Sequence, residues 1–221
     1  MGIQLIGNGG VVIGAGEEAR KPMHVSLYPK TGNTYRFSGF TGTIGAALAA
    51  NSELFQFRFL SGTKSFAIVH RVIFDGMGML AVATAIGPVG FALFPARAWT
   101  VAGSAGTRIA VSGDNLQTET ALPNSQVNDI GIATTGALTV GTKTLDANAQ
   151  GQALGGIGTA AITTYGRTSI VAPQPLITSE ANQPMVFANQ EGFVIRTTHT
   201  GPAALTYTAG FTVEWTEVTA Y

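Results

Sequence analysis

The stretch LTYTAGFTVEW, residues 205–215, decides the fold because apolar and polar or small side chains alternate along it. Leucine, tyrosine, alanine, phenylalanine, valine and tryptophan occupy the odd positions, and threonine, glycine and glutamate occupy the even ones. Successive side chains of a strand point to opposite faces of its sheet. The pattern therefore predicts a long strand with one buried face.

The same period recurs in residues 54–60, where phenylalanines alternate with Gln56 and Arg58. The two stretches together supply the predicted core anchors: Phe55, Phe57, Phe59, Phe211, Val213 and Trp215. Eight or more such strands, separated by turns and without a sustained helical period, are typical of an antiparallel β-sandwich or barrel. We expect this domain to span residues 31–221.

Local patterns add four expectations to this scheme. The residues between Asp75 and Arg97 lack charge and have the length of a membrane span, but glycines and prolines interrupt them. We therefore interpret them as a hairpin of strands 79–85 and 89–94, joined by a turn at Gly87-Pro88. Alanine and leucine predict a short helix at residues 44–50. A strand at 66–74 is expected to end at Asp75-Gly76, and residues 150–164 are expected to form a long loop.

Residues 1–30 are predicted to form an extended N-terminal arm. Glycines separate short apolar pairs in its first part, so it is too flexible to fold alone and too apolar for a solvated tail. Ordering it costs about 1–2 kcal/mol per residue, which contact with a neighbouring subunit would offset. An edge strand of its own domain is the alternative. The candidate contact residues are Ile3, Leu5, Ile6, Val11, Val12, Arg20 and Lys21.

Composition limits the possible partners. Charged residues are only 11% of the 221, and 12 basic residues balance 12 acidic ones. No overall field or basic run attracts nucleic acid or anionic lipid, so we expect neither a nucleic-acid partner nor a membrane. The absence of cysteine excludes disulfides and thiolate sites. The chain begins without the basic flank and apolar run of a secretion signal. An uncharged surface of this kind is common in proteins that assemble.

Motifs for nucleotide or acyl chemistry are incomplete. The string VVIGAGEEA, residues 11–19, resembles a dinucleotide fingerprint, but Pro22 stops the helix that must hold the pyrophosphate. Gly62-Thr63-Lys64-Ser65 and Gly141-Thr142-Lys143-Thr144 lack the first glycine of a phosphate-binding loop and a following helix. Residues 102–106 are one residue short of a nucleophile elbow. We therefore expect no cofactor.

Candidate acids, histidines and aromatic residues are scattered. His24, His70 and His199 lack metal-ligand spacing, and the two in strands are interpreted as hydrogen-bonded sheet residues. Glu214 and Glu217 lie three apart on a strand and cannot share a substrate. We expect no metal site and no catalytic residue. The two tryptophans, Trp99 and Trp215, could line a sugar site, although a core position is the commoner use of a strand tryptophan.

Several strings resemble a family of tailed-phage virion proteins, the head cement or decoration proteins. They are NSELFQFRF (residues 51–59), FALFPARAWT (91–100), ALTVGTKTLDA (137–147), NQEGFVIR (189–196) and FTVEWTEV (211–218). The resemblance covers residues 50–221 and leaves the arm outside. It implies a jelly-roll-like β-sandwich that oligomerises on the outer capsid surface and joins neighbouring major capsid proteins. It carries over no catalytic residue.

Three hypotheses follow for function. The first is a capsid cement protein, assembled in the host cytoplasm and located on the virion surface, that binds the major capsid protein and itself, as a homotrimer or else a dimer. The second is a head-fibre or tail-fibre module that binds host glycan through loop aromatics such as Trp99 and Tyr165. The third, a β-sandwich hydrolase, requires clustered acids or histidines that the sequence lacks.

Overall fold

The computed structural model describes residues 5–6, 12–13, 33–81, 87–109, 127, 129–157, 173–178 and 184–220. The chain divides into two units, Met1–Lys30 and Thr31–Tyr221. In the first unit, β1 (Leu5–Ile6) pairs antiparallel with β2 (Val12–Ile13), so the chain reverses direction between them.

The described part of the second unit contains strands and no helix. Its strands are β3 (Asn33–Phe40), β4 (Glu53–Phe59), β5 (Phe66–Ala81), β6 (Gly87–Val101), β7 (Gly106–Ile109), β8 (Asp129–Ala133), β9 (Thr142–Leu145), β10 (Gly151–Ile157), β11 (Gln174–Thr178), β12 (Met185–Phe187), β13 (Glu191–Thr197) and β14 (Thr206–Val218).

These strands form two antiparallel sheets packed as a sandwich. The first, which we call the β14 sheet, has the order β11-β5-β14-β3, with β12 also on β5. The second, the β13 sheet, has the order β10-β6-β13-β4-β8-β7, with β9 also on β6. The chain alternates between the two sheets along β3, β4, β5 and β6. It alternates again along β10, β11, β13 and β14. This is the strand order of a jelly roll, with β7, β8 and β9 inserted between β6 and β10.

The core lies between the two sheets, and β14 supplies its centre. Every odd-numbered side chain from Leu205 to Trp215 is buried, as the alternation predicts. The neighbouring β5 is 16 residues long against 13 for β14, and its register shifts three times. The residues skipped on β5 are His70, Asp75 and Leu80. These bulges absorb the difference in length, so the alternation of β14 stays intact.

Aromatic rings fill this core. Phe57 stacks on Phe193, with ring centroids 5.0 Å apart, and meets Trp215 edge to face at 5.2 Å. Phe55 lies 5.6 Å from Phe211, which links the β13 sheet to the β14 sheet. All six predicted anchors have no exposed side-chain surface: Phe55, Phe57, Phe59, Phe211, Val213 and Trp215.

The hairpin predicted over residues 79–85 and 89–94 is wrong. Of the first segment, residues 79–81 end β5 of the β14 sheet and residues 82–85 lie outside the described residues, whereas the second segment lies in β6 of the β13 sheet. The predicted turn, Gly87-Pro88, is the start of β6 and pairs with β10. A jelly roll sends consecutive strands to opposite sheets, which a local turn signal cannot reveal.

Three other local predictions also fail. Residues 44–50 are not helical, because Ile44 bridges to Tyr207 and Ala47 has a left-handed φ of 56°. The strand from Phe66 continues through Asp75 to Ala81, because a bulge bends it there. Within the predicted loop 150–164, residues 151–157 form β10 on the edge of β6. In each case a distant strand satisfies the backbone, which overrides local composition.

Candidate functional site

The arm residues proposed as contacts are only partly described. Leu5 and Ile6 lie in β1 and Val12 lies in β2, so these three are in paired strands. The other four lie outside the described residues: Ile3, Val11, Arg20 and Lys21.

The most concentrated set of charges in the described residues lies on the outer face of the β13 sheet. Gln56 and Arg58 alternate with the phenylalanines of β4 and therefore point away from the core. A register shift near the start of β4 brings Glu53 to the same face. With Arg108, Asp129 and Lys143, these side chains form what we call the Glu53 cluster.

Two segments, residues 98–103 and 138–143, cover this cluster, and we call them the cover. The backbone N–H of Leu138 donates to the Glu53 carbonyl at 2.8 Å. Arg58 Nη1 donates to the carbonyl oxygens of Trp99 and Thr100 at 3.3 and 3.2 Å. The end of β6 and the segment that leads into β9 thus close the outer face of the β13 sheet over the cluster.

Trp99 anchors the cover through a second, smaller core. Its ring packs with Ala96 and Val194, and its Nε1 donates to the Val101 carbonyl at 3.0 Å. The Lys143 ammonium lies 4.6 Å from the centre of this ring, a cation–π distance. Since Trp99 has no exposed surface, it cannot stack on a sugar in this structure, which removes one support of the glycan hypothesis. Tyr165 lies outside the described residues.

One half of the Glu53 cluster joins an amine, a carboxylate and an amide. Lys143 Nζ lies 2.8 Å from Glu53 Oε2, and both side chains are almost fully buried. Gln56 Nε2 donates to the same Glu53 oxygen at 2.5 Å and to the Thr139 carbonyl at 2.9 Å. Lys143 Nζ also donates to the Val140 carbonyl. Every buried polar atom named here has a partner, as burial requires.

The other half of the Glu53 cluster is an ion triad. Arg108 Nη1 donates to Asp129 Oδ1 at 2.9 Å, and its Nη2 donates to Gln56 Oε1 at 3.1 Å. Arg58 Nε lies 2.7 Å from Asp129 Oδ2 but off the line of a hydrogen bond, so this contact is an ion pair. A Cβ on Gly131 would stand 2.5 Å from Arg108 Nη1, so glycine leaves the room for the guanidinium.

Burial changes the acid–base behaviour of Lys143. Burial disfavours the charged ammonium and lowers the pKa of Lys143. The hydrogen bond to Glu53 and the negative charge of the Glu53 carboxylate raise this pKa but do not cancel the effect of burial. The positive charges of Arg196 and Arg108 lower the pKa further. A more readily deprotonated lysine beside a carboxylate is a nucleophile with a proton acceptor.

The outer face of the β14 sheet carries a second polar row. Thr212 Oγ1 donates to Asp75 Oδ2 at 2.7 Å, and the hydroxyls of Thr34 and Thr216 are 3.2 Å apart. His70 Nε2 is 2.9 Å from Thr216 Oγ1, so this histidine is a hydrogen-bonded sheet residue. Burial lowers the pKa of His70, and the negative charge of Glu214 opposes that.

The remaining predicted residues have structural surroundings. His199 Nδ1 is 2.7 Å from the Thr198 hydroxyl, just beyond β13, and His24 lies outside the described residues. Glu217 accepts a hydrogen bond from Trp215 Nε1 at 3.0 Å, whereas Glu214 lies on the opposite face near Arg36. Within the described ranges, no group of three histidine, aspartate or glutamate side chains could hold a metal ion.

Large apolar side chains are exposed near one end of the strands, with Phe40 on the outer face of the β14 sheet and Leu154 on the outer face of the β13 sheet. Phe40 ends β3 and Leu80 nearly ends β5, and both strands run antiparallel to β14. Leu154 pairs with Gly90 near the start of β6, the strand that follows β5. These three side chains, which we call the apolar end, are 65%, 60% and 61% exposed. Val101 and Val140, on the cover, are also exposed.

Comparison of the chain with protein-family models, curated proteins and solved structures found no match. The described residues also contain no helix with the length and apolar character needed to cross a bilayer.

Proposed function

We propose that this protein is a virion cement protein that binds the outside of a tailed-phage capsid and joins neighbouring major capsid proteins. The observation that carries the proposal is a jelly-roll sandwich whose main charge cluster lies largely under the cover, combined with large apolar side chains exposed near one end of the strands. These large apolar side chains would gain free energy if another protein covered them. The resemblance of residues 50–221 to decoration proteins supports the same class.

The mechanism is multivalent clamping. The apolar end and the N-terminal arm supply separate contacts, to sister copies and to the major capsid protein. Once one contact has formed, the next becomes intramolecular and is favoured by a high effective concentration. A homotrimer fits this mechanism, and a dimer is the alternative. The low net charge fits a lattice in which copies lie side by side without strong repulsion.

A capsid-loading experiment tests this function. The full chain and a chain without residues 1–20 are mixed with expanded capsids and separated by sedimentation. The full chain is expected to co-sediment until the sites are saturated, and the shortened chain, although folded, is expected to stay free. Failure of the full chain to bind would overturn the cement function. Equal binding of both chains would show that the arm is not the capsid contact.

A further inference from the structure

Three side chains of the Glu53 cluster hold the reactants of an amide-forming reaction. Lys143 Nζ is 2.8 Å and Gln56 Nε2 is 2.5 Å from the same oxygen, Glu53 Oε2. Because both nitrogens contact the same oxygen, the Lys143 amine lies beside the Gln56 amide. Gln56 is fully buried, as are the side chains of Lys143 and Glu53 to within 1%. Water has little access to compete with the amine.

We propose that Lys143 and Gln56 join through a side-chain amide bond, with Glu53 as the proton carrier. Glu53 takes a proton from Lys143, and the neutral Nζ attacks Cδ of Gln56, whose carbonyl electron pair moves to Oε1. The carbon–nitrogen bond to Nε2 then breaks. Glu53 passes protons from Nζ to Nε2, which leaves as ammonium, and the Glu53 carboxylate is restored. No oxidant, metal or other reactant is needed.

The neighbours of Lys143, Glu53 and Gln56 favour this step. Arg108 Nη2 already donates to Gln56 Oε1 at 3.1 Å, so it stabilises the negative charge that develops there. The Thr139 carbonyl accepts from Gln56 Nε2 at 2.9 Å and holds the amide in place. Burial also lowers the pKa of Lys143, which makes the neutral amine easier to reach. Nucleophile, electrophile, proton carrier and oxyanion donor are each supplied by one residue.

The bond would have a mechanical use. It ties β4, in the centre of the β13 sheet, to β9 in the cover, and so closes a long loop of chain. Closing a long loop reduces the freedom of the unfolded chain, as a disulfide does. This chain has no cysteine, so a lysine–glutamine amide gives a staple that needs no oxidising compartment.

Mass spectrometry of the purified full chain tests the proposal. The intact mass is expected to be lower than the sequence mass by one ammonia. After trypsin, residues 37–58, which contain Gln56, should be joined to residues 109–167, because the linked Lys143 is not cleaved. Folded protein that yields residues 37–58, 109–143 and 144–167 as three separate linear peptides would overturn the proposal. A loss of ammonia that maps to Asn8-Gly9, which can cyclise, would also overturn it.

Variants separate the roles. Lys143→Arg keeps the cation and Glu53→Gln keeps the size of the carboxylate, and both are expected to abolish the link while circular dichroism shows the same fold. Lys64→Arg is the matched control and should leave the link intact. If Glu53→Gln stayed fully linked, Glu53 would not carry the proton. A link that loses water would join Lys143 to Glu53 and would contradict the role of Gln56.

Discussion

Phe57 lies at the centre of the aromatic core and contacts rings from both sheets. It stacks on Phe193 and meets Trp215 edge to face, with no exposed surface. Its replacement leaves a cavity that the rigid sheets cannot close. Phe57→Ala is therefore expected to lower the free energy of unfolding by about 3–5 kcal/mol, measured by chemical denaturation.

Val140→Ala is the control, because this side chain is 55% exposed and lies outside the apolar end. We expect it to change the free energy of unfolding by no more than about 1 kcal/mol. Equal losses for the two variants would contradict the assignment of the core to the space between the sheets.

His70 makes the stability of the sandwich depend on pH. Burial lowers its pKa below the ordinary 6.5, and the opposing charge of Glu214 does not cancel this. The unfolded chain therefore binds the proton more readily, and stability falls as the pH drops from 6.5 to the lowered pKa. His70→Gln should flatten this part of the curve of unfolding free energy against pH. An unchanged curve would show that His70 does not contribute.

At the scale of elements, the cover is fixed by close backbone contact. A Cβ at Gly103 would stand 1.9 Å from the Thr139 carbonyl oxygen and 2.5 Å from Gln56 Nε2. Gly103→Ala must therefore push the two segments of the cover apart. We expect a loss of about 1–3 kcal/mol in the free energy of unfolding, together with faster hydrogen exchange at residues 138–143.

Gly136→Ala provides the matched control, since a Cβ there meets nothing within 4 Å. It is expected to leave stability unchanged or to raise it by up to about 1 kcal/mol. If this variant were as destabilising as Gly103→Ala, the close approach at Gly103 would not be the cause.

The sequence predicts elements well where burial acts on one face. The alternation of β14 and the phenylalanines of β4 follow from a period of two, and the structure has both strands. The segments that were wrongly predicted as a hairpin after Asp75, a helix at residues 44–50 and a loop over β10 take their structure from pairing with distant strands. Local sequence patterns do not contain that information. Pairing with β6, for example, makes a strand of the glycine-rich segment Gly151–Ile157.

The sequence does not predict the Glu53 cluster, because the contacts within it also depend on residues that are distant in the chain. Glu53 reaches Gln56 only because a register shift interrupts the alternation of β4. Lys143 lies in an incomplete phosphate-binding motif and in one of the strings that resemble decoration proteins, and neither pattern points to Glu53. Its partner lies 90 residues away. A polar residue within a phenylalanine-rich strand, such as Gln56, was the one available signal that the outer face is covered.

At the scale of the whole molecule, the apolar end is expected to hold sister copies together. Replacement of Phe40, Leu80 and Leu154 by serine should shift the oligomer to monomer in sedimentation velocity, because apolar burial drives such association. The same change at Val101 and Val140, on the cover, should leave the oligomer intact. A monomeric full chain would contradict self-association, and an oligomer unaffected by the first change would place the contact elsewhere.

The position of the protein on the virion tests the central proposal most directly. A cryo-EM reconstruction of the phage head at side-chain resolution is expected to show jelly-roll density repeated over the outer capsid lattice, each copy bridging neighbouring major capsid proteins. Density for this chain only at a tail or a vertex, or none on the virion, would contradict the cement function.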